Sequence, residues 1–210
     1  MSAAGRFDVE DALDRATGAR AIPGNRVTLL CDGAEIFAAI DDLIASAVAS
    51  IAFENYIIRS DEAGWRVADA LAEKALQGVA VRVLYDAVGC RGTSRRYWRF
   101  LAQRGVVARR FHPPLSSGPV AVLQRDHRKL VAVDERAAIV GGFCIGNEWA
   151  PSDRSDRPPW RDTAVRIEGP AAQATWHAFR RIWNGAGTAD LAAPSGAAPE
   201  PAKSLSRWTS

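Results

Sequence analysis

Ser50-Ile51-Ala52-Phe53-Glu54-Asn55-Tyr56-Ile57-Ile58 is apolar and β-rich enough for a buried strand. Trp65, Ala68, Leu71, Ala72 and Ala75 then recur at helical spacing, and Gly78 follows in the position that commonly ends a helix. Val79 to Tyr85 reads as the next strand. A strand, an amphipathic helix and a second strand in immediate succession need a crossover, so the two strands are expected to run parallel. This unit predicts an α/β fold.

The same grammar extends in both directions. Upstream, Arg26 to Cys31 is a short β-type run, and Ile36, Phe37, Ile40, Leu43, Ile44 and Val48 mark a helix. Downstream, Arg95 to Gln103 reads as a basic helix and Val106 to Phe111 as a strand ended near Pro113-Pro114. A loop rich in Ser, Gly and Pro (Pro113 to Pro119) precedes a change of pattern. His127 to Val133 and Arg136 to Val140 form two short runs around Asp134-Glu135, a hairpin signature. After a polar insertion, Pro151 to Pro159, Asp162 to Ile167 is a further strand, and Gly169-Pro170 opens a last helix through Trp183. The chain thus divides into a flexible segment at 1–24, one domain at 25–184 and an Ala/Pro-rich disordered tail at 185–210.

Composition narrows the function classes. With 48% hydrophobic and 24% charged residues, the 210-residue chain is neither disordered, collagen-like nor a coiled-coil rod. No apolar run reaches the roughly 18 residues of a membrane span, and Met1 to Arg20 lacks the core of a secretory signal. Cys31, Cys90 and Cys144 match no zinc spacing, and a reduced cytosolic setting accommodates them. Net charge is only +3, yet 24 of the 27 basic residues are arginine. No acidic residue falls between Asp86 and Asp126, where Arg91, Arg95, Arg96, Arg99, Arg104, Arg109, Arg110 and Arg125 lie. Arginine favours planar anionic oxygens, so this run is either a solvated face or a surface that meets phosphates.

The chemistry concentrates in His127-Arg128-Lys129, separated by four residues from Asp134, with a further six before Gly141-Gly142. In a strand, residues two apart share a face, so His127 and Lys129 project together. An imidazole can attack phosphorus while a neighbouring ammonium neutralises charge growing on the nonbridging oxygens. Asp134 has the wrong parity for that face and is expected to bond backbone N–H groups or a nearby cation. His112 and His177 are the only other histidines, and neither has lysine two residues on.

With its spacers, this segment resembles the HKD motif of the phospholipase D superfamily. From about Asn25 to Trp183 the chain is similar to the N-terminal half of a bacterial cardiolipin synthase. Leu29 to Phe37, Glu54-Asn55-Tyr56, Gly78 to Asp86, the HKD hairpin and Trp160 to Pro170 carry the likeness. The resemblance implies a single phospholipase D-like lobe with a mixed, largely parallel sheet flanked by helices on both faces. It also implies phosphatidyl transfer on phosphatidylglycerol-type diesters through a phosphohistidine at His127. Lys129 would clamp the phosphate with Gly142 and Cys144, and Asp162 would orient the imidazole; Asp134 completes the motif. Asp162 has a competing reading as a buried structural acid beside Arg161 or Arg166. The family uses no metal or cofactor for this step.

Two departures bear on activity. Cys144 stands where the family has asparagine, and a thiol is only a weak donor. Cardiolipin synthases also carry two HKD motifs and this chain carries one. A homodimer or a second HKD lobe in trans would supply the other histidine. The expected partner is anionic phospholipid, met peripherally at the cytoplasmic face of the cell membrane. The alternatives are an inactive half-enzyme or phospholipid-binding remnant, and a single-HKD phosphodiesterase acting on nucleic acid.

Overall fold

A computed structural model describes residues 9–18, 20–111, 124–151 and 158–186. His112, the whole Ser/Gly/Pro loop, most of the 151–159 insertion and the tail from 187 onward lie outside them. In chain order the elements are α1 (Val9–Thr17), β1 (Arg26–Cys31), α2 (Asp32–Ala45), β2 (Ser50–Asn55), α3 (Glu62–Leu76) and β3 (Ala80–Asp86). They continue with α4 (Arg95–Gln103), β4 (Val107–Phe111), β5 (Leu130–Val133), β6 (Ala137–Gly141), β7 (Thr163–Glu168) and α5 (Pro170–Gly185). The helix α1 falls within the stretch read as a flexible N-terminal segment.

One seven-stranded sheet runs in the order β1-β7-β6-β5-β2-β3-β4. Neighbours β2, β3 and β4 pair in parallel, while β2–β5, β5–β6, β6–β7 and β7–β1 are antiparallel. Those pairings leave five strands pointing one way and only β5 and β7 against them. The sheet is therefore mixed, and parallel pairing is confined to the half whose connections carry helices. Where the connection is the three-residue turn Asp134-Glu135-Arg136, the strands must reverse. Asp134 and Glu135 take positive φ, 52° and 58°.

Side-chain alternation divides the core into two layers. Ile51 and Phe53 of β2, Val81 and Val83 of β3, and Val131 and Val133 of β5 face Ile36, Ile40 and Leu43 of α2 and Val67 and Leu71 of α3. The intervening Ala52, Leu84, Leu130, Ala132 and Ala138 face Ala172, Trp176, Phe179 and Trp183 of α5. Helices thus cover both faces. Their starts are fixed by local bonds: Asp61 accepts from Gly64 N at 3.0 Å, Ser94 from Tyr97 N at 3.2 Å, and Asn25 from Ala171 N at 2.8 Å. Gly78, at φ 89°, turns the chain out of α3.

The second layer is incomplete. Register aligns Leu130, Val140, Val165 and Leu29 across β5, β6, β7 and β1 on the α5 side, with Ala132, Ala138, Ile167 and Val27 as the parallel row. Only the inner members are buried; Val27 and Leu29 are 62% and 60% exposed. Among the described residues, α5 reaches β7, and the β1 edge of this apolar face stays uncovered.

Candidate active site

The end of the sheet where β2 and β6 finish and β5 and β7 begin gathers the motif residues. Ladder pairing of β5 starts at Leu130, opposite Glu54, rather than at His127. Beyond that point β2 has only Asn55 left, so Asp126 to Lys129 are held by individual bonds. Gly141 N donates to Lys129 O at 3.3 Å, and Gly142 N donates to Thr163 O at 3.3 Å.

His127 is exposed and Lys129 is buried, 5% accessible. Both lie against Tyr56 just past β2: the imidazole and phenol centroids are 4.5 Å apart, and the ammonium sits 5.2 Å from the ring centroid. A cation over an aromatic face is stabilised by the ring quadrupole. Lys129 Nζ also donates to the His127 carbonyl at 2.7 Å, tying the two residues together. Burial lowers the Lys129 pKa, while Cys144, Asp162 and Asp126 act in the opposite direction. That combination describes an ammonium with little water and a demand for a nearby anion.

Cys144 is buried close by. Desolvation raises its thiol pKa, against the pull of Lys129 and the Ile57 backbone. The thiol form therefore prevails, and it offers the pocket only a weak donor. Gly142 is exposed, and a Cβ there would stand 2.4 Å from Asp162 Oδ1. Only glycine lets this carboxylate lie so close to the turn.

Asp162 is half-buried and accepts from Thr163 N at 2.7 Å. Its two candidate cationic neighbours turn elsewhere: Arg161 pairs with Asp32 at 3.0 Å and Arg166 with Glu168 at 3.0 Å. The reading of Asp162 as the buried partner of Arg161 or Arg166 therefore fails. No hydrogen bond joins Asp162 to His127 among the described residues; it lies on the Lys129 side of the site. Asp134 is remote from this group. Its carboxylate accepts from Val48 N, Ala49 N and Ser50 N at 3.0, 2.9 and 2.7 Å, fastening the hairpin turn to the start of β2. Although Asp134 completes the motif with the catalytic His127 and Lys129, its bonds are those of a structural carboxylate, as its parity implies. His177 is on α5 and exposed.

Two features were not singled out from the sequence. Tyr56 lies just past β2, and its ring bridges His127 and Lys129. Glu54, a carboxylate in an apolar strand, is wholly buried and receives Arg128 Nε at 2.8 Å and Nη2 at 2.6 Å. A charge at a core position of a buried strand demands a partner, and that was the available signal. Among the described residues no group of three or more His, Cys, Asp or Glu is placed to hold a metal ion.

An exposed nucleophilic ring beside a desolvated cation and a glycine turn fits attack on a phosphodiester. The similarities agree. Residues 40–183 match the family described as cardiolipin synthase, PLD-like domain. Cardiolipin synthase A of Pseudomonas fluorescens is 35% identical over 165 residues, 77% of this chain and 34% of that protein. A cardiolipin synthase of Staphylococcus aureus is 37% identical over 169 residues, 79% of this chain and 34% of that one. The chain therefore spans about a third of the length of the curated relatives it matches. Among solved structures, Nuc of Salmonella typhimurium, a phospholipase D family member, superposes with TM-score 0.60 at 20% identity. It is 98% covered by 80% of this chain. The phosphatidylserine synthase of Haemophilus influenzae gives TM-score 0.54 at 16% identity, with 80% and 40% covered. At such identities the structures establish the shared fold, and the sequence match establishes the lineage: the chain belongs to the cardiolipin synthase, PLD-like domain family.

Proposed function

We propose that this chain is one lobe of a cardiolipin-synthase-type phosphatidyltransferase, with His127 attacking the phosphorus of a phosphatidylglycerol-type diester. The observation that carries the reading is the exposed His127 imidazole tied to the buried Lys129 ammonium over Tyr56. Attack forms the N–P bond and breaks the P–O bond to the head-group glycerol, which leaves with a proton from a general acid. Lys129 neutralises the charge that gathers on the nonbridging oxygens. A second phosphatidylglycerol then gives up its hydroxyl proton, and its oxygen displaces the imidazole nitrogen. Cardiolipin forms and His127 is restored. Asp162 steadies the imidazole once substrate closes the open edge, since such bonds tighten in the working complex.

The general acid must come from a second histidine. The uncovered row of Val27 and Leu29 supports a lobe-to-lobe contact on the α5 side of the sheet. A twofold pairing of this chain meets the need without another gene product, and a C-terminal lobe in trans is the alternative source. No described helix is long and apolar enough to cross a membrane. Exposed Arg91, Arg95, Arg96 and Arg99 at and around α4 suit peripheral contact with anionic lipid. Cys144 in the asparagine position favours a second reading, a lipid-binding lobe without turnover.

The test is turnover of phosphatidylglycerol vesicles across a range of protein concentration. Self-pairing predicts that specific activity rises through a monomer–dimer transition and that His127→Ala chains poison the wild type. A trans arrangement predicts activity only after a C-terminal lobe is added. Vesicle binding without turnover under either condition would replace the transferase with the lipid-binding reading.

A further inference from the structure

His127 is flanked in the chain by Asp126 and Arg128, and both neighbours point away from it into the α5 side of the sheet. There they meet Glu54. Arg128 donates to Glu54 Oε1 through Nε and Nη2 at 2.8 and 2.6 Å, and to the Ala178 carbonyl of α5 at 3.3 Å. Asp126 Oδ1 accepts from Arg128 N at 3.4 Å, and its own amide donates to Asp86 Oδ2 at 3.0 Å. The other oxygens, Glu54 Oε2 and Asp126 Oδ2, are buried without a donor among the described residues.

Two buried carboxylates facing one guanidinium leave a negative charge that only Lys129, further off on the Asp126 side, helps to offset, an expensive arrangement in the interior. The two carboxyl groups are within hydrogen-bonding reach of each other. One proton held between Oε2 and Oδ2 satisfies both orphaned oxygens and makes the group neutral. We propose that Glu54, Asp126 and Arg128 form a proton-locked positioning network that sets where His127 projects from the sheet edge. The two residues bonded covalently to His127 are both anchored in it, so its integrity fixes the backbone on which the imidazole turns. The network acts through His127 and touches no substrate. The proposal rests on His127 being the working imidazole.

The proton is retained well into the alkaline range. Burial, followed by the hydrogen bond and charge of Asp126, pushes Glu54 up to about 9 in spite of Arg128. The charged groups near it are few. Asp126 and Arg128 come from the segment before β5, while Asp86 at the end of β3 is occupied by the amides of Asp126, Val88 and Gly89. Arg82 of β3 faces Arg109 and Arg180 instead, and His177, Arg180 and Arg181 on α5 are exposed. On the other side, Tyr56 and Lys129 lie against His127, and burial lowers the Lys129 pKa. A titration of the wild type alone is therefore insufficient, and variants must decide.

The experiment follows the imidazole signals of His127 in the full chain by NMR from pH 6 to 10.5, assigned by their loss in His127→Gln. The wild type should show a step near pH 9. In Glu54→Gln the carboxamide keeps both bonds, accepting from Arg128 and donating to Asp126, without a titrating proton. That step should vanish. Asp126→Asn replaces the shared proton with an amide donor and should also remove it, which covers the case that the first variant fails to fold. A step that persists unchanged in the folded variants, or a wild type with none, would overturn the proposal. Because the readout needs no turnover, the network can stand while the transferase reading fails, and the reverse.

Discussion

Replacing Asp134 tests whether the acidic member of the motif serves structure or chemistry. Its carboxylate holds the amides of Val48, Ala49 and Ser50, and Arg136 lies 3.5 Å away with its side chain 58% exposed. A hydrogen bond to a charged group contributes about 1.5–3 kcal/mol when water cannot replace it. Here two of the three amides are at exposed positions and regain water, and so open an ion pair adds about 0–1 kcal/mol at most. Asp134→Ala should therefore cost about 3 kcal/mol. Asp134→Asn keeps one acceptor and a side chain that tolerates the positive φ of 52°, and should cost about 1–1.5 kcal/mol. Urea unfolding followed by tryptophan fluorescence gives both values, with an unchanged m-value if the denatured state is unaffected. Asp134 lies seven residues from His127, about 23 Å along a strand. Phosphorus labelling of His127 per folded molecule should then be unchanged in Asp134→Asn. A stable variant that loses labelling would place Asp134 in the chemistry and refute the reasoning.

Glu135→Gly should stabilise the hairpin by about 1 kcal/mol in the same assay, because a non-glycine residue pays for φ 58°. A destabilisation would mean that its contact with Gln173 outweighs the backbone cost. Glu54 should make stability pH-dependent: its folded pKa is raised from 4.5 to about 9, so its contribution is complete below the unfolded value and is lost as pH climbs toward 9. Relative to Glu54→Gln, the wild type should weaken across that window with a slope approaching about 1.4 kcal/mol per pH unit; a flat difference would count against a retained proton. Cys144→Asn supplies a strong donor beside Lys129 and should raise the labelling rate by about tenfold or more. An unchanged rate would show that position 144 does not meet the phosphate.

The parallel half of the sheet was legible because each of its elements writes its own period. The β2 and β3 segments are near-continuous apolar runs buried on both faces, α3 and α4 bury residues at helical spacing, and β4 is half-buried throughout. Pairing across the antiparallel half was not legible. Nothing within Arg26 to Cys31 says that it lies beside Thr163 to Glu168 at the sheet edge, where Val27 and Leu29 stay exposed. The site divides in the same way. His127 and Lys129 follow from parity along one segment, and Asp134 was excluded from their face on the same ground. The Glu54–Arg128 bond joins residues 74 positions apart, and strand register across β2 and β5 is what brings them together. Nor could the sequence tell that Arg161 and Arg166 would turn to Asp32 and Glu168, leaving Asp162 beside the glycine turn. The acid-free arginine run was only half legible, since Arg96, Arg104 and Arg109 lie over Trp65, Phe100 and Trp183 and serve packing as well as charge.

The central claim is that phosphorus passes through the imidazole of His127. The direct measurement is to incubate the chain with phosphatidylglycerol labelled in its phosphate, quench rapidly, and test the protein-bound label for acid and base stability. The wild type should retain an acid-labile, base-stable adduct, His127→Ala should retain none, and Lys129→Ala should retain severely less. Label that persists in His127→Ala with the same stability would contradict the account.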